Sequence, residues 1–302
     1  MASPDSPASI MDPRNTQPMH ALSFDVEEYF QVANLRPFVT RADWERIPSR
    51  LMVGMEAILQ LLEARGVRAT MFFLGWIAEQ HPQLVRRCLD AGHEIASHGY
   101  EHTFVTDLDE AEFERDLART EEALMAAGAP KPQGFRASTF TITRQTWWAF
   151  DVLVRRGYVY DSSVHPVKHP TYGVPDFDPR ISVVQAPGGG GSIVEFPVAT
   201  FPAFGRNWPV GGGGYFRLLP GWLHRRAIAS LERQGRPTAT YLHPWEFDPE
   251  QPRYPAKATS RFRHYLNLDK TLGRLDRLIE RGGFGTMAEV LQAQGWQERF
   301  RS

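Results

Sequence analysis

The chain has 302 residues, which at ~150 residues per domain suits two small domains or one large α/β barrel. With 42% hydrophobic and 12% aromatic residues it has the composition of a folded protein, which excludes wholesale disorder. Its 34 basic and 35 acidic side chains nearly cancel, so no net field selects nucleic acid or an anionic membrane.

Residues 1–18 (MASPDSPASIMDPRNTQP) mix Pro, Ser, Asp and Asn without apolar periodicity and without a charged start leading into a hydrophobic run. They read as a mobile tail rather than a signal peptide, which makes the cytoplasm the expected location. From Ala21 short apolar runs, predicted as strands, alternate with helical stretches. The strands are Ala21–Phe24, Ala69–Leu74, His93–Ser97, Gly134–Ala137 and Tyr158–Tyr160. The helices, with apolar residues three and four apart, are Leu51–Arg65, Gln83–Ala91, Asp109–Ala127 and Thr143–Arg156. Asp109 with Glu112 forms a capping box, and Gly128 follows as a stop. The longest apolar run, Met71–Ala78, is too short to cross a bilayer. Cys88, the single cysteine, excludes an internal disulfide and sits on an apolar-patterned helix as packing.

From Thr171 the regularity breaks into a Gly/Pro-rich excursion running to about residue 220, with two glycine tetrads, Gly188–Gly191 and Gly211–Gly214, flanking a strand at Ile193–Val198. Neither tetrad is followed by the Lys-Ser/Thr pair of a phosphate loop, so both read as turns. A helix at Gly221–Gln234, a strand at Thr238–Leu242, a helix near Asn267–Arg281 and a last helix from Met287 resume the pattern. Strand and helix alternating this often predict parallel strands wrapped by helices, in a barrel or a doubly wound sheet.

The chemistry falls at strand ends. In ALSFDVEEYF an apolar strand runs into Asp25, Glu27 and Glu28; burying several acids there is costly unless a cation or a reaction uses them. Residues two apart in a strand share a face, so Asp25 and Glu27 point to one site and Glu28 elsewhere. In HEIASHGYEH a short strand delivers His98, and a helical turn brings in His102 four residues on. Two histidines and a carboxylate form a ligand set of a catalytic zinc that keeps a position open. Arg136, Asp161 and His243 end later strands, and in a parallel barrel all strand C-termini open on one face, where these residues converge.

In this order the residues resemble the NodB-type polysaccharide deacetylases, metal-dependent hydrolases that remove acetyl groups from sugars. The resemblance covers about Ala21 to Trp296 and implies an α/β fold, a distorted (β/α)7 barrel, as one catalytic domain over residues 19–302. It is carried by Ser23-Phe-Asp25, Ser97-His98-Gly-Tyr-Glu-His102, Phe135-Arg136, Tyr160-Asp161-Ser-Ser163 and Leu242-His243. It implies that Asp25 is the catalytic base, oriented by Arg136, and that His243 is the general acid, supported by Asp161. The metal, zinc by preference, falls to Glu27, His98 and His102. Most of the family has a second Asp directly after the first, where this chain has Val26, so Glu27 is the expected ligand and Glu28 the alternative. A backbone N–H near Ser138 or Thr139 joins the oxyanion site. Phe140, Tyr172 and Trp245 are expected to contact sugar, with Trp208 a further candidate. FDVEEYF, DSSVHP and HPWEF look like the branch associated with bacterial exopolysaccharide and exosortase gene clusters. The expected partner is an acetylated glycan, with N-acetyl hexosamine favoured and no nucleic acid. Two rival expectations are a barrel that only binds glycan and a hydrolase of cyclic amides or imides.

Overall fold

The computed structural model describes residues 19–255 and 258–300, so the expected tail at 1–18 lies outside the described residues. The elements, in chain order, begin with β1 (His20–Val26), α1 (Leu51–Arg65), β2 (Thr70–Phe73), α2 (Gly75–Gln80), α3 (Pro82–Asp90), β3 (Glu94–Ser97), α4 (Glu110–Ala126) and β4 (Gly134–Phe135). There follow α5 (Ala149–Arg155), β5 (Tyr160–Asp161), β6 (Ser182–Gln185), β7 (Ser192–Glu195), β8 (Thr200–Ala203), β9 (Arg206–Pro209), α6 (Gly213–Leu218) and α7 (Gly221–Glu232). The chain ends with β10 (Thr238–Leu242), α8 (Ala258–Tyr265), α9 (Leu268–Ile279), β11 (Phe284–Gly285) and α10 (Met287–Leu291).

Seven strands run parallel in the order β10-β1-β2-β3-β4-β5-β7, the arrangement of a distorted (β/α)7 barrel. β6 adds an antiparallel edge to β7, and β11 pairs with the start of β1. Between β7 and β10 the wall is irregular. There Ala199 N–H donates to Ala239 O (2.9 Å) and Tyr241 N–H to Gly211 O (2.7 Å), while Gly212 bridges to Tyr241 in parallel. This close approach explains the second glycine tetrad, because a Cβ on Gly212 would lie 1.8 Å from Tyr241 O at a φ of +153°. The first tetrad is the turn between β6 and β7, as predicted, whereas the second is not a turn: Gly211 and Gly212 run beside β10, and Gly213 and Gly214 open α6.

The barrel interior is the apolar cluster of Ala21, Phe72, Ala96, Tyr160, Val194 and Ala239, plugged from below by Met287, Val290 and Leu291 of α10. A larger outer cluster joins helices from both ends of the chain, packing Leu51, Met55 and Ile58 of α1 with Ile228, Leu275 and Leu278. α1 also seats directly on the segment after β10: a Cβ on Gly54 would fall 1.9 Å from Pro244 O. A core helix thereby fixes the height of His243, the residue before that proline.

The strands and helices follow the sequence pattern, and α4 starts with the Asp109–Glu112 capping box. The predicted helix over 143–156 is instead a 3-10 turn at Arg144–Thr146 capped by Thr143, then the short α5. Thr143 binds Gln145 N–H, a local turn that competes with a longer helix. Among the described residues no helix is long and apolar enough to cross a membrane.

Candidate active site

The site sits at the C-terminal ends of the parallel strands, in a cavity of about 490 Å3 lined among others by Asp25, Glu27, His98, His102, Phe140, Tyr172 and His243. Alternation along β1 turns Ala21 into the barrel interior and, on the same parity, aims Asp25 and Glu27 at this mouth. Glu28 turns the other way. Its carboxylate accepts Arg50 N–H (3.2 Å) and Leu51 N–H (3.4 Å) at the start of α1, so the alternative metal ligand is a helix-end acceptor.

Glu27, His98 and His102 bring ligand atoms within 4.8 Å of one another, and all three are buried. His98 binds Arg136 O through Nδ1 (2.8 Å), which leaves Nε2 facing the cluster. His102 arrives differently from the sequence expectation: left-handed residues, Gly99 at φ 75° and His102 at φ 56°, bring the rings to 5.6 Å instead of a helical turn. His102 Nε2 lies 2.8 Å from Glu27 Oε2, yet Oε2 has no hydrogen-bond partner. A buried carboxylate oxygen this close to a buried imidazole nitrogen and without a hydrogen-bond partner is the arrangement a shared cation satisfies. The donor set therefore fits a divalent metal. Burial alone would raise the Glu27 carboxyl, but His102, His243 and His98 hold it down to about 2. Burial pushes His98 down to about 4, the neutral form a ligand needs.

Arg136, fully buried, donates from Nη1 to Asp25 Oδ1 (2.6 Å) and to Ser23 Oγ (2.9 Å), and from Nη2 to Ser162 Oγ (3.0 Å). Asp25 Oδ2 is left 4.0 Å from His98 Nε2 and 3.9 Å from His243 Nε2, too far for direct hydrogen bonds. A carboxylate and an imidazole thus flank the ligand cluster. On the cavity wall Thr139 (φ 55°), one of the two residues where the oxyanion donor was expected, is followed by a second left-handed residue, Phe140 (φ 56°), whose N–H donates to Ala137 O (3.0 Å).

Two sequence expectations change. Asp161 does not support His243. Tyr160 fills the barrel interior, so its neighbour Asp161 points outward, accepting Ser163 Oγ–H (2.5 Å), whose oxygen accepts Ala137 N–H (2.7 Å). Asp161 thereby braces the segment that carries Arg136. The group behind His243 is Glu246, whose Oε1 lies 2.7 Å from His243 Nδ1 and whose Oε2 accepts Arg217 Nε (2.5 Å). Burial would lower His243, but the Glu246 hydrogen bond and the charges of Glu27 and Asp25 raise it to about 9. The signal was present in His243-Pro-Trp-Glu246, a capping-box spacing after a strand. Arg217, from a distant helix, left none.

Trp245 lines the cavity, but its ring and its N–H are engaged within the protein and not left as an open stacking face. At 9% exposure its ring stacks on His243 and His264, and its N–H donates to Glu27 Oε1 (3.0 Å), leaving Oε2 for the cluster. Phe140 is 5% exposed and touches the cavity with its edge, packed against Tyr172 and Tyr241. Trp208 lies on the β8–β9 hairpin, half exposed, and is not among the cavity residues.

Residues 52–154 match the polysaccharide deacetylase family, and residues 162–292 match a family described only as a domain of unknown function, DUF3473. Residues 52–154 are thus similar to the polysaccharide deacetylases. Among curated proteins, the chain is similar to a peptidoglycan-N-acetylglucosamine deacetylase of Bacillus cereus, 40% identical over 76 residues, covering 24% of this chain and 28% of that protein. It is also similar to a chitooligosaccharide deacetylase of Rhizobium leguminosarum bv. trifolii, 34% identical over 138 residues, covering 45% of this chain and 61% of that protein. The chain thus spans less than two thirds of the length of these relatives. The barrel as a whole is shared with a polysaccharide deacetylase-type structure from Mycobacterium smegmatis, at a TM-score of 0.63 and 20% identity, over 98% of this chain and 96% of that one.

Asp161 has a second consequence, for stability. Glu195, its register partner on β7, is fully buried, and burial with the Asp161 charge pushes its carboxyl well above the usual range. The folded protein therefore keeps a proton that the unfolded chain releases near about pH 4.3. Stability from this group is full below that pH and is lost as pH rises towards the folded value. Melting temperature followed from pH 5 to pH 9 should fall less steeply in Glu195→Gln than in the wild type. Parallel curves would contradict the shared-proton reading.

Proposed function

We propose that the protein is a zinc-dependent N-deacetylase of a bacterial exopolysaccharide or its precursor, hydrolysing the acetamido group of a hexosamine. The observation that carries the reading is the Glu27–His98–His102 cluster flanked by Asp25 on Arg136 and by His243 on Glu246. The names of the similar deacetylases support the acetyl-hydrolysing chemistry. The exopolysaccharide assignment rests on the FDVEEYF, DSSVHP and HPWEF phrases.

Glu27, His98 and His102 would hold a divalent cation, which would supply Lewis acidity toward the acetyl carbonyl and water. Asp25, its Oδ1 fixed by Arg136, takes the proton from the attacking water at its free Oδ2. The carbonyl oxygen gathers negative charge against the backbone N–H at Thr139, the Phe140 N–H being taken by Ala137 O. His243, protonated and aimed by Glu246 at Nδ1, gives the proton at Nε2 to the departing amine, which an amide cannot expel as an anion. Glu246 is a positioning residue: Glu246→Gln should lower kcat by about tenfold to a hundredfold with KM nearly unchanged and zinc retained. A change confined to KM would remove it from that role.

Product analysis tests the bond. Treatment of N-acetylglucosamine oligomers should yield free acetate and an equal amount of primary amine. Acetate without amine, from an O-acetylated glycan alone, would replace the amide by an ester as substrate.

A further inference from the structure

The cavity has an electrical gradient that acetyl hydrolysis does not require. Its floor holds the two carboxylates among the described lining residues, Asp25 and Glu27, both engaged in the hydrolytic centre. Its outer wall is built by His169, Thr171, Tyr172, Tyr215 and Arg263, all within the segment that matches the domain of unknown function. Arg263, on α8, is exposed, and among the described residues no carboxylate pairs with it. The other arginine of the cavity, Arg217, is buried and neutralised by Glu246.

The neighbourhood of Arg263 is ordered for contact. Tyr172 stacks on His169 at 3.8 Å and lies against Phe140 at 6.0 Å, so an aromatic shelf connects the acetyl-hydrolysing floor to the guanidinium. Arg263 acts electrostatically on both: burial and then the Arg263 charge lower His169, and Arg263 opposes the upward push of burial on Tyr172. A sugar lying on this shelf with its acetamido group at Asp25 presents its neighbouring residue or substituent to an unpaired planar donor. Guanidinium selects carboxylate or phosphate at such a position by bidentate hydrogen bonding.

We propose that Arg263 is a specificity residue for an anionic glycan, one in which the acetylated hexosamine is joined to a uronate carboxylate or to a diphosphate. The proposal rests on the deacetylase reading for the placement of the acetamido group. The anion site is read by binding, so the two fail separately.

The test is calorimetric titration of zinc-loaded protein in the Asp25→Asn background, where ligand survives the measurement. The probes are the N-acetylglucosamine–glucuronic acid disaccharide, its neutral methyl ester, and uridine diphosphate N-acetylglucosamine. The acid disaccharide or the nucleotide sugar should bind about tenfold or more tightly than the ester. Which of the two does so distinguishes a uronate-containing polymer from a diphosphate-linked precursor. Arg263→Ala should bring the favoured anion down to the affinity of the ester, and Arg263→Glu should make the ester the better ligand. Equal affinity of all three probes, or an anion preference that survives Arg263→Ala, overturns the proposal. An anion preference in a protein that releases no acetate keeps the site and removes the deacetylase reading.

Discussion

Replacing Asp25 with asparagine is expected to abolish turnover while leaving zinc in place, a loss of about a hundredfold to ten-thousandfold in kcat. The two effects separate because Asp25 stands outside the three-residue ligand cluster and 4.0 Å from His98 Nε2. An asparagine keeps an oxygen for the Arg136 Nη1 hydrogen bond and keeps the volume, so the buried guanidinium retains a partner. It offers no group that accepts a proton from water. Zinc content measured beside acetate release decides the matter. An Asp25→Asn protein that turns over normally would remove Asp25 as the base, and one that loses zinc would make it a ligand.

The second large effect concerns His98. His98→Ala should reduce zinc content to background and end acetate release, because it removes one of three ligands whose burial leaves no replacement from solvent. A readout independent of turnover is the melting temperature. Zinc that binds only the folded chain raises it, so added zinc should shift the wild type upward and leave His98→Ala unmoved. Undiminished zinc stabilisation in His98→Ala would place the metal elsewhere.

Much of this was legible in the sequence because the signals were local. Alternation along β1 and just beyond it set Asp25 and Glu27 on one face, and Glu28 off it, from the four letters Asp25-Val-Glu27-Glu28. The strand-helix alternation gave the parallel barrel, and the capping box of α4 gave its start. Other features escaped because they depend on register or on distant packing. β5 is two residues long, too short to reveal its phase, and the choice of Tyr160 as the inward residue turned Asp161 away from His243. The Arg217–Glu246 pair joins residues 29 apart in sequence, with Arg217 inside the irregular Gly/Pro-rich excursion. Trp245 carried the composition of a sugar platform, but its N–H found Glu27 and its ring found two histidines. The left-handed turn at His102 leaves no mark in a non-glycine letter.

The most direct measurement is acetate release from N-acetylglucosamine oligomers by protein stripped of metal and then titrated with zinc. The geometry of Glu27, His98 and His102 predicts silence without metal and activity that rises with zinc to one equivalent. Unchanged release after stripping would contradict the metal centre. No release with zinc demonstrably bound would contradict the hydrolase and leave a barrel that binds glycan or opens a cyclic amide.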